Sequence, residues 1–226
     1  MEREIVDRCT VFSTVVGSIA YGTKTPESDI DIKGIFVYPT EKILSLNKGK
    51  ETINRNNPDI EYHEVEKFIR LASKCNPTIL EMLYLDKYSI VEPEAKLLID
   101  NRSSFLSVTI YKSYGGYALS QAKKLYIKGM NFTRYEKHSR HCFRLLLQGK
   151  QLLETGNLNV KIDNPEELFN ISKLSPEDLI NKFEEEFKEF DKIKTDLPPL
   201  PNYEKINEIL LKIREMNYEN CKTFRV

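Results

Sequence analysis

Hydrophobic and polar positions follow one period in the first hundred residues and another period afterwards. Residues 10–18, TVFSTVVGS, are mostly apolar and β-branched and end in Gly17-Ser18. Such a run predicts a buried strand that stops at a tight turn. From about residue 105 the spacing of apolar residues becomes helical. The chain therefore predicts an α/β (α+β) first part and a helical second part, with the boundary between residues 104 and 105.

Two more strands are predicted in the first part. At 28–37, alternation places Asp29 and Asp31 on one face, opposite an apolar face. After a polar, asparagine-containing stretch, the segment DIEYHEV alternates again, so that Asp59 and Glu61 share a face. Acidic residues are thus predicted on the same side of neighbouring strands.

Helices account for most of the remaining pattern. The apolar stripe of residues 64–74 predicts an amphipathic helix that ends before Asn76-Pro77. The helical part is predicted to contain four more helices, at about residues 107–128, 133–153, 176–192 and 203–217. Glycines at the ends of the first two, Gly129 and Gly156, are typical helix stops.

Composition narrows the class of protein. Hydrophobic residues make up 40% of the chain and charged residues 30%, which is typical of a globular protein. No apolar run approaches the roughly 20 residues that span a bilayer, and the N-terminus lacks a signal-peptide pattern, so we expect a cytoplasmic protein without a membrane partner. Four dispersed cysteines predict reduced thiols in the core. Because 34 basic residues balance 34 acidic ones, net charge alone gives no support for a nucleic-acid partner, which has to be argued from local patches.

The acidic strand carries the strongest indication of chemistry. Two carboxylates at positions i and i+2 of a strand lie about 6.5 to 7 Å apart along the backbone, which is close enough to share a metal ion. Without a cation, like charges this close are unfavourable. Gly17 would let the backbone approach a triphosphate, and the Ser18 hydroxyl would hydrogen-bond it. The spacing excludes an EF-hand loop, and Thr23 between Gly22 and Lys24 disfavours a P-loop.

These motifs resemble those of a known superfamily. A Gly-Ser pair followed by Asp-apolar-Asp on the next strand is typical of DNA polymerase β-like nucleotidyltransferases. More closely, GSIAYGTKTPESDIDIKGIFV and then DIEYHEVEKFIRLASKCNPTILEML resemble the YcgL-type nucleotidyltransferases, which include a branch associated with RNA repair. The resemblance covers residues 10–86.

The resemblance implies a metal-dependent transfer of a nucleoside monophosphate from a nucleoside triphosphate (NTP) to an acceptor hydroxyl, with release of pyrophosphate. Two Mg²⁺ or Mn²⁺ ions would be held by Asp29, Asp31 and a third carboxylate. We expect Asp59 as the third, with Glu61 as the alternative. RNA, such as a tRNA end, is the preferred acceptor; a small molecule or a protein hydroxyl is the alternative. A catalytically silent nucleotide-binding or antitoxin-like module is the competing hypothesis.

A basic helix near residues 133–153 offers further candidates. Lys137 and Arg144 are its best candidates for contacts to nucleotide phosphates or to an acceptor nucleic acid. The alternative interpretation, an ordinary solvated helix face, fits the same pattern equally well.

Overall fold

A mixed five-stranded sheet forms the first part of the computed structural model, which describes residues 8–46, 48–56, 58–127 and 129–219. The strand order is β3-β4-β2-β1-β5. Strands β2 and β4 are parallel, and the other neighbouring strands are antiparallel. The strands span Thr10–Val16 (β1), Asp31–Phe36 (β2), Thr52–Arg55 (β3), Asp59–Glu64 (β4) and Ile90–Val91 (β5).

Helices cover the sheet and form the rest of the described chain. They span Ser18–Tyr21 (α1), Thr40–Leu44 (α2), Val65–Ala72 (α3), Pro77–Leu80 (α4), Pro93–Asp100 (α5), Thr109–Lys124 (α6), Phe132–Thr155 (α7), Pro165–Ile171 (α8), Pro176–Asp191 (α9) and Tyr203–Glu219 (α10). Two 3₁₀-helices lie at Glu81–Tyr84 and Arg102–Phe105. The predicted α+β class, with a mixed sheet followed by helices, is confirmed.

Local sequence explains where several helices begin and end. The Asn131 side chain accepts a hydrogen bond of 2.8 Å from the Arg134 amide and so caps α7. Gly156, in the left-handed conformation, ends the same helix. Ser175 caps α9 in the same way as Asn131, and Pro176 occupies its first turn. These caps fix the ends of the two helices that matter most for the helical part.

One hydrophobic core runs through both parts of the chain. It includes residues of the sheet, such as Phe12 and Ile35, and residues of the helical part, such as Leu145 and Ile213. Burial of each large side chain contributes roughly 1.5 to 3 kcal/mol. Three of the predicted core thiols, Cys9, Cys75 and Cys142, are indeed buried and free, whereas Cys221 lies outside the described residues.

The long helices α6 and α7 form an antiparallel hairpin. Near its tip, the Nδ1 atom of His138 lies 2.9 Å from Oε1 of Gln121. Near its other end, a Cβ atom on Gly149 would lie 2.9 Å from Cβ of Tyr114, so only glycine allows this close approach. The hairpin is therefore packed along its whole length, from the described part of its turn to its base.

Helix α10 joins the end of the helical part to the sheet. Arg214 donates two hydrogen bonds to the carboxylate of Glu64, at 2.6 and 3.0 Å. The same carboxylate caps the first turn of α3, where it accepts from the Glu66 amide. Because this bidentate pair is largely buried, it fixes the last helix against the end of β4.

Candidate active site

Asp31 and Asp59 begin the two parallel strands of the sheet. Asp31 is the first residue of β2, Asp59 is the first residue of β4, and the two are direct partners in the parallel ladder. Neighbouring strands lie about 4.8 Å apart, so both side chains start from the same edge of the sheet. Asp29 lies before β2 and is exposed. The predicted placement of Asp29 within the strand is therefore wrong, because β2 begins two residues later.

The electrostatic environment of Asp31 shows that several charged groups surround it. Burial raises the pKa of Asp31, and the negative charge of Asp59 raises it further. Lys137 and Lys33 act in the opposite direction, and Asp29 adds a smaller increase. Asp59, Asp29 and a lysine from α7 thus each act on the charge of Asp31.

The acids are not gathered into a closed metal site. Within the described ranges, no three His, Cys, Asp or Glu side chains are close enough to form one. Three carboxylates repel one another when no cation neutralises them, so an open arrangement is expected of these side chains without ions. Metal binding by Asp29, Asp31, Asp59 and Glu61 stays a prediction.

Gly17 packs directly against Asp31. A Cβ atom on Gly17 would lie 2.4 Å from Oδ2 of Asp31, and the φ angle of Gly17 is +72°. Only glycine combines this backbone conformation with such a close approach. Ser18 follows as the first residue of α1 and is partly exposed. The Gly-Ser turn predicted from the sequence therefore does adjoin the acid pair.

Glu61 is held by two basic neighbours. Its Oε1 atom lies 2.5 Å from Nζ of Lys33 and 3.3 Å from Nε2 of His63. The hydrogen bond from His63, followed by that from Lys33, lowers the pKa of Glu61 to about 2. His63 is in turn 3.0 Å from Oγ1 of Thr52 through Nδ1. Glu61 is the partner of Lys33 in the parallel ladder, and its carboxylate already contacts two basic side chains. The side chain of Asp59, in contrast, is exposed.

The two candidates on the basic helix α7 lie in different surroundings. Lys137 is exposed, and its positive charge opposes the rise in the pKa of Asp31. Arg144 is only 3% exposed and does not belong to an open cationic surface or to a solvated face. Its contact with a phosphate stays a prediction.

Arg144 is the centre of a buried polar network. It donates to Oε2 of Glu81 at 3.2 Å and to Oε1 of Gln148 at 2.5 Å. Its guanidinium lies 3.7 Å from the ring centroid of Tyr21, and the Tyr21 hydroxyl donates to Oε1 of Glu81 at 2.7 Å. Because Tyr21 ends α1, the network connects the helix after the Gly-Ser turn to α7.

Burial shifts the pKa of both Glu81 and His141, and the charge of Arg144 opposes this shift at Glu81 but adds to it at His141. Burial raises the pKa of Glu81, and the nearby Arg144 opposes this rise. Burial, then the charge of Arg144, lowers the pKa of His141 to about 3. His141 is therefore neutral at physiological pH, and its Nε2 atom lies 3.3 Å from Nη2 of Arg144.

Sequence reasoning missed Glu81 and Tyr21. Glu81 interrupts the apolar segment TILEMLYL, and a lone acid in such a segment predicts a buried partner. The identity of that partner depends on a contact across 63 residues, which no local pattern specifies.

Comparison with known proteins places the chain in a family. The model of RlaP, described as the RNA repair pathway DNA polymerase beta family, matches residues 3–210. An uncharacterized 38.9 kDa protein of Enterobacteria phage T4, encoded in the nrdC-mobD intergenic region, is 37% identical over 135 residues, which are 53% of this chain and 40% of the phage protein. The uncharacterized protein YcgL of Bacillus subtilis is 30% identical over 95 residues, which are 38% of this chain and 36% of YcgL.

The chain spans less than half the length of both curated relatives. Among its described helices, none is long and apolar enough to cross a membrane. Since the family model covers nearly the whole chain and the Gly-Ser turn lies against the aspartate pair, the chain belongs to the RNA repair pathway DNA polymerase beta family.

Proposed function

We propose that the protein transfers a nucleoside monophosphate from an NTP to an acceptor hydroxyl on an RNA end. The observation that carries this proposal is the pairing of Asp31 with Asp59 at one edge of the sheet, with the backbone of Gly17 against Asp31. The family description supports nucleotidyl transfer in an RNA repair pathway and hence the choice of RNA as acceptor.

The acids fit divalent ions of the Mg²⁺ or Mn²⁺ type. These cations prefer carboxylate oxygens. Burial, and then the negative charge of Asp59, raises the pKa of Asp31, and a bound cation would oppose both effects. Asp29, Asp31 and Asp59 would hold the ions. Glu61 is the weaker choice for third carboxylate because Lys33 and His63 already occupy it. Two bound ions supply activation of the acceptor hydroxyl and neutralisation of the triphosphate.

The remaining residues of the site have separate roles in this proposal. Gly17 leaves room for phosphate oxygens beside the backbone, and the Ser18 hydroxyl is available to donate to them. Lys137 neutralises phosphate charge from the side of α7. Arg144 acts indirectly, because it holds Tyr21 at the end of α1. The acceptor hydroxyl gives its proton to water, its oxygen bonds to the α-phosphorus, the bond from that phosphorus to the α–β bridging oxygen breaks, and pyrophosphate leaves.

A catalytically silent nucleotide-binding or antitoxin-like module is the competing proposal. An active enzyme with a small-molecule or protein acceptor is a further alternative. Release of pyrophosphate separates the silent module from the enzymes, and the dependence on acceptor separates the enzymes from each other.

The test is incubation of the protein with each labelled NTP and Mg²⁺ or Mn²⁺, alone and with tRNA or an RNA oligonucleotide. We expect pyrophosphate release and a labelled RNA, both reduced at least about 100-fold by Asp29→Ala, Asp31→Ala or Asp59→Ala. Glu61→Ala should retain more activity than these three variants. Asp196→Ala, at an exposed aspartate of the proline-rich connection, is the matched control.

Two results would contradict the proposal. Absence of pyrophosphate release with every NTP and acceptor, from a protein that still binds nucleotide, favours the silent module. Activity that survives Asp59→Ala but not Glu61→Ala assigns the third carboxylate to Glu61 instead.

A further inference from the structure

The turn between α6 and α7 exposes large apolar side chains. Tyr126, Ile127 and Phe132 are 62%, 57% and 67% exposed. Turns on a globular surface usually carry small polar residues, and aromatic rings cost free energy when they face water. Three such side chains within seven residues therefore indicate a binding surface.

Basic side chains surround these apolar residues. Lys123 and Arg134 are exposed, and no described acid pairs with them. Lys124 bonds only to Oε1 of Gln121 within the described chain. Lys124 and His138 both contact Oε1 of Gln121, and Arg134 lies one helical turn before His138 on α7, so cations from both helices lie near one another. We call Lys123, Lys124, Tyr126, Ile127, Phe132 and Arg134 the hairpin-tip patch.

The hairpin-tip patch lies on the way to the acids. Phe132 begins α7, and Arg144 follows on the same helix, about 18 Å further along the axis at 1.5 Å per residue. The guanidinium of Arg144 lies 3.7 Å from the ring centroid of Tyr21, and Tyr21 ends α1, the helix that follows Gly17 beside Asp31. A chain molecule bound at the tip and extended along α7 would therefore have its end within reach of the acid pair.

We propose that the hairpin-tip patch binds the single-stranded end of an acceptor RNA, with unpaired bases stacked on Tyr126 and Phe132 and phosphates beside Lys123, Lys124 and Arg134. This inference rests on the proposed function, since it identifies where that reaction holds its acceptor. Exposed aromatics among lysines and arginines match a polynucleotide, which offers flat bases and regularly spaced negative charges. A protein or a membrane would use the apolar residues but offers no flat bases to stack on the two aromatic rings.

Binding without turnover provides the test. Fluorescence anisotropy of a labelled single-stranded RNA is measured in EDTA, where no metal-dependent reaction occurs. We expect Tyr126→Ala and Phe132→Ala each to weaken binding by about 5- to 100-fold. The double variant Lys123→Ala/Arg134→Ala should weaken binding and reduce the slope of log affinity against log salt by about 0.7 for each lost phosphate contact.

Matched controls come from the same chain. Tyr203 is 55% exposed and Lys194 is exposed, and neither belongs to the hairpin-tip patch. Tyr203→Ala and Lys194→Ala should bind RNA like the unmodified protein. Thermal melting of each variant checks the fold, which we expect to be unchanged because all the substituted side chains reach solvent.

Several results would overturn the inference. These are the absence of RNA binding by the unmodified protein, equal affinity of the tip variants and the controls, or tighter binding of a duplex or of single-stranded DNA than of single-stranded RNA. Tip variants that bind RNA normally would indicate a protein or membrane surface instead. Failure of the proposed function looks different, because RNA binding in EDTA would persist and respond to the tip variants while no NTP released pyrophosphate.

Discussion

At the scale of single residues, Asp31 has the most constrained surroundings among the described acids of the site. The backbone of Gly17 lies on one side of its carboxylate, Asp59 begins the neighbouring strand, and Lys33 and Lys137 contribute positive charge. Its raised pKa means that the folded chain holds a proton on Asp31 more tightly than the unfolded chain does. The folded protein therefore loses stability when Asp31 ionises, a cost often found at functional sites.

Replacement of Asp31 by asparagine should stabilise the metal-free protein. The gain in stability of Asp31→Asn over the unmodified protein should be largest at about pH 8, where Asp31 is ionised in the folded protein. The gain should vanish at pH values below the ordinary carboxyl pKa of 3.8, where Asp31 carries a proton in both the folded and the unfolded chain. We expect an increase in Tm of about 1 to 2 °C, small because water screens a partly exposed charge. Thermal melts from acid to alkaline pH check the prediction.

Divalent ions should make the unmodified protein more stable than Asp31→Asn. Mg²⁺ or Mn²⁺ should raise the Tm of the unmodified protein by binding the folded state, whereas Asp31→Asn should respond little. An Asp31→Asn variant that is less stable than the unmodified protein at every pH, without ions, would show that Asp31 is not under repulsion.

The contact of Gly17 with Asp31 can be tested separately from backbone strain. Gly17 and Gly129 both have positive φ angles, but a Cβ atom on Gly129 would meet nothing within 4 Å. Backbone strain should lower the free energy of unfolding of both Gly→Ala variants by about 1 kcal/mol. Only Gly17→Ala should also displace the Asp31 carboxylate and reduce pyrophosphate release, by at least about 10-fold. Equal activity of the two variants would exclude a role for the close contact.

At the scale of elements, the buried network around Arg144 connects α1, the 3₁₀-helix at Glu81 and helix α7. Tyr21 belongs to α1, Glu81 to the 3₁₀-helix and Arg144 to α7, and Arg144 and Glu81 are almost completely buried. An isolated charge costs far more free energy in a protein interior than a paired charge does. The network therefore stabilises one arrangement of the Gly-Ser turn relative to the helical hairpin.

Loss of Arg144 should be strongly destabilising. Arg144→Met leaves the Glu81 carboxylate buried without its counter-ion, and we expect the free energy of unfolding to fall by about 3 to 5 kcal/mol. The double variant Arg144→Met/Glu81→Gln should recover a large part of this loss, because no buried charge remains. Urea denaturation measures both values.

An exposed pair provides the control for Arg144. Arg70 and Glu51 have side chains 52% and 57% exposed, so Arg70→Met should change the free energy of unfolding by less than about 0.5 to 1 kcal/mol. A similar cost at Arg70 and Arg144, or no recovery in the double variant, would contradict the assignment of a buried ion pair.

Elements with a clear period were predictable from the sequence, and others were not. The apolar run before Gly17 predicted β1, and the alternation around Asp31 and Asp59 predicted β2 and β4. Strand β3 was missed because Asn54 and its polar neighbours resemble a loop, although β3 pairs in register with β4. Strand β5 has only two residues, which is too short for any periodicity. Both strands form because tertiary pairing overrides weak local preference.

At the scale of the whole molecule, the five described strands lie before residue 104, but the hydrophobic core does not end there, and the domain boundary at residue 104 stays a prediction. The main cluster of buried residues continues across it, from Phe12 in the sheet to Ile213 in α10. Arg214 then contacts Glu64 at the end of β4. Such long-range contacts are absent from local patterns, which explains why the sequence indicated the sheet and the helices but not how closely they join.

The candidate site was partly predictable for the same reason. Asp31, Asp59 and Gly17 were identified because each belongs to a local motif next to a strand. Burial of Arg144 was missed because a cationic residue on a helix resembles a surface residue until its partner, Glu81, is known. The parallel pairing of β2 with β4 was equally hidden, since parallel strands need a long connection whose path no short pattern specifies.

The parallel ladder also bears on how relatives of this chain can diverge in length. The position of Asp31 beside Asp59 depends on backbone pairing within β2 and β4. A gain or loss of residues between α2 and β3 leaves that pairing in register, whereas a single added residue inside either strand shifts one aspartate to the opposite face. Homologues should therefore tolerate gaps in the connection at residues 45–51 and exclude them from the two strands.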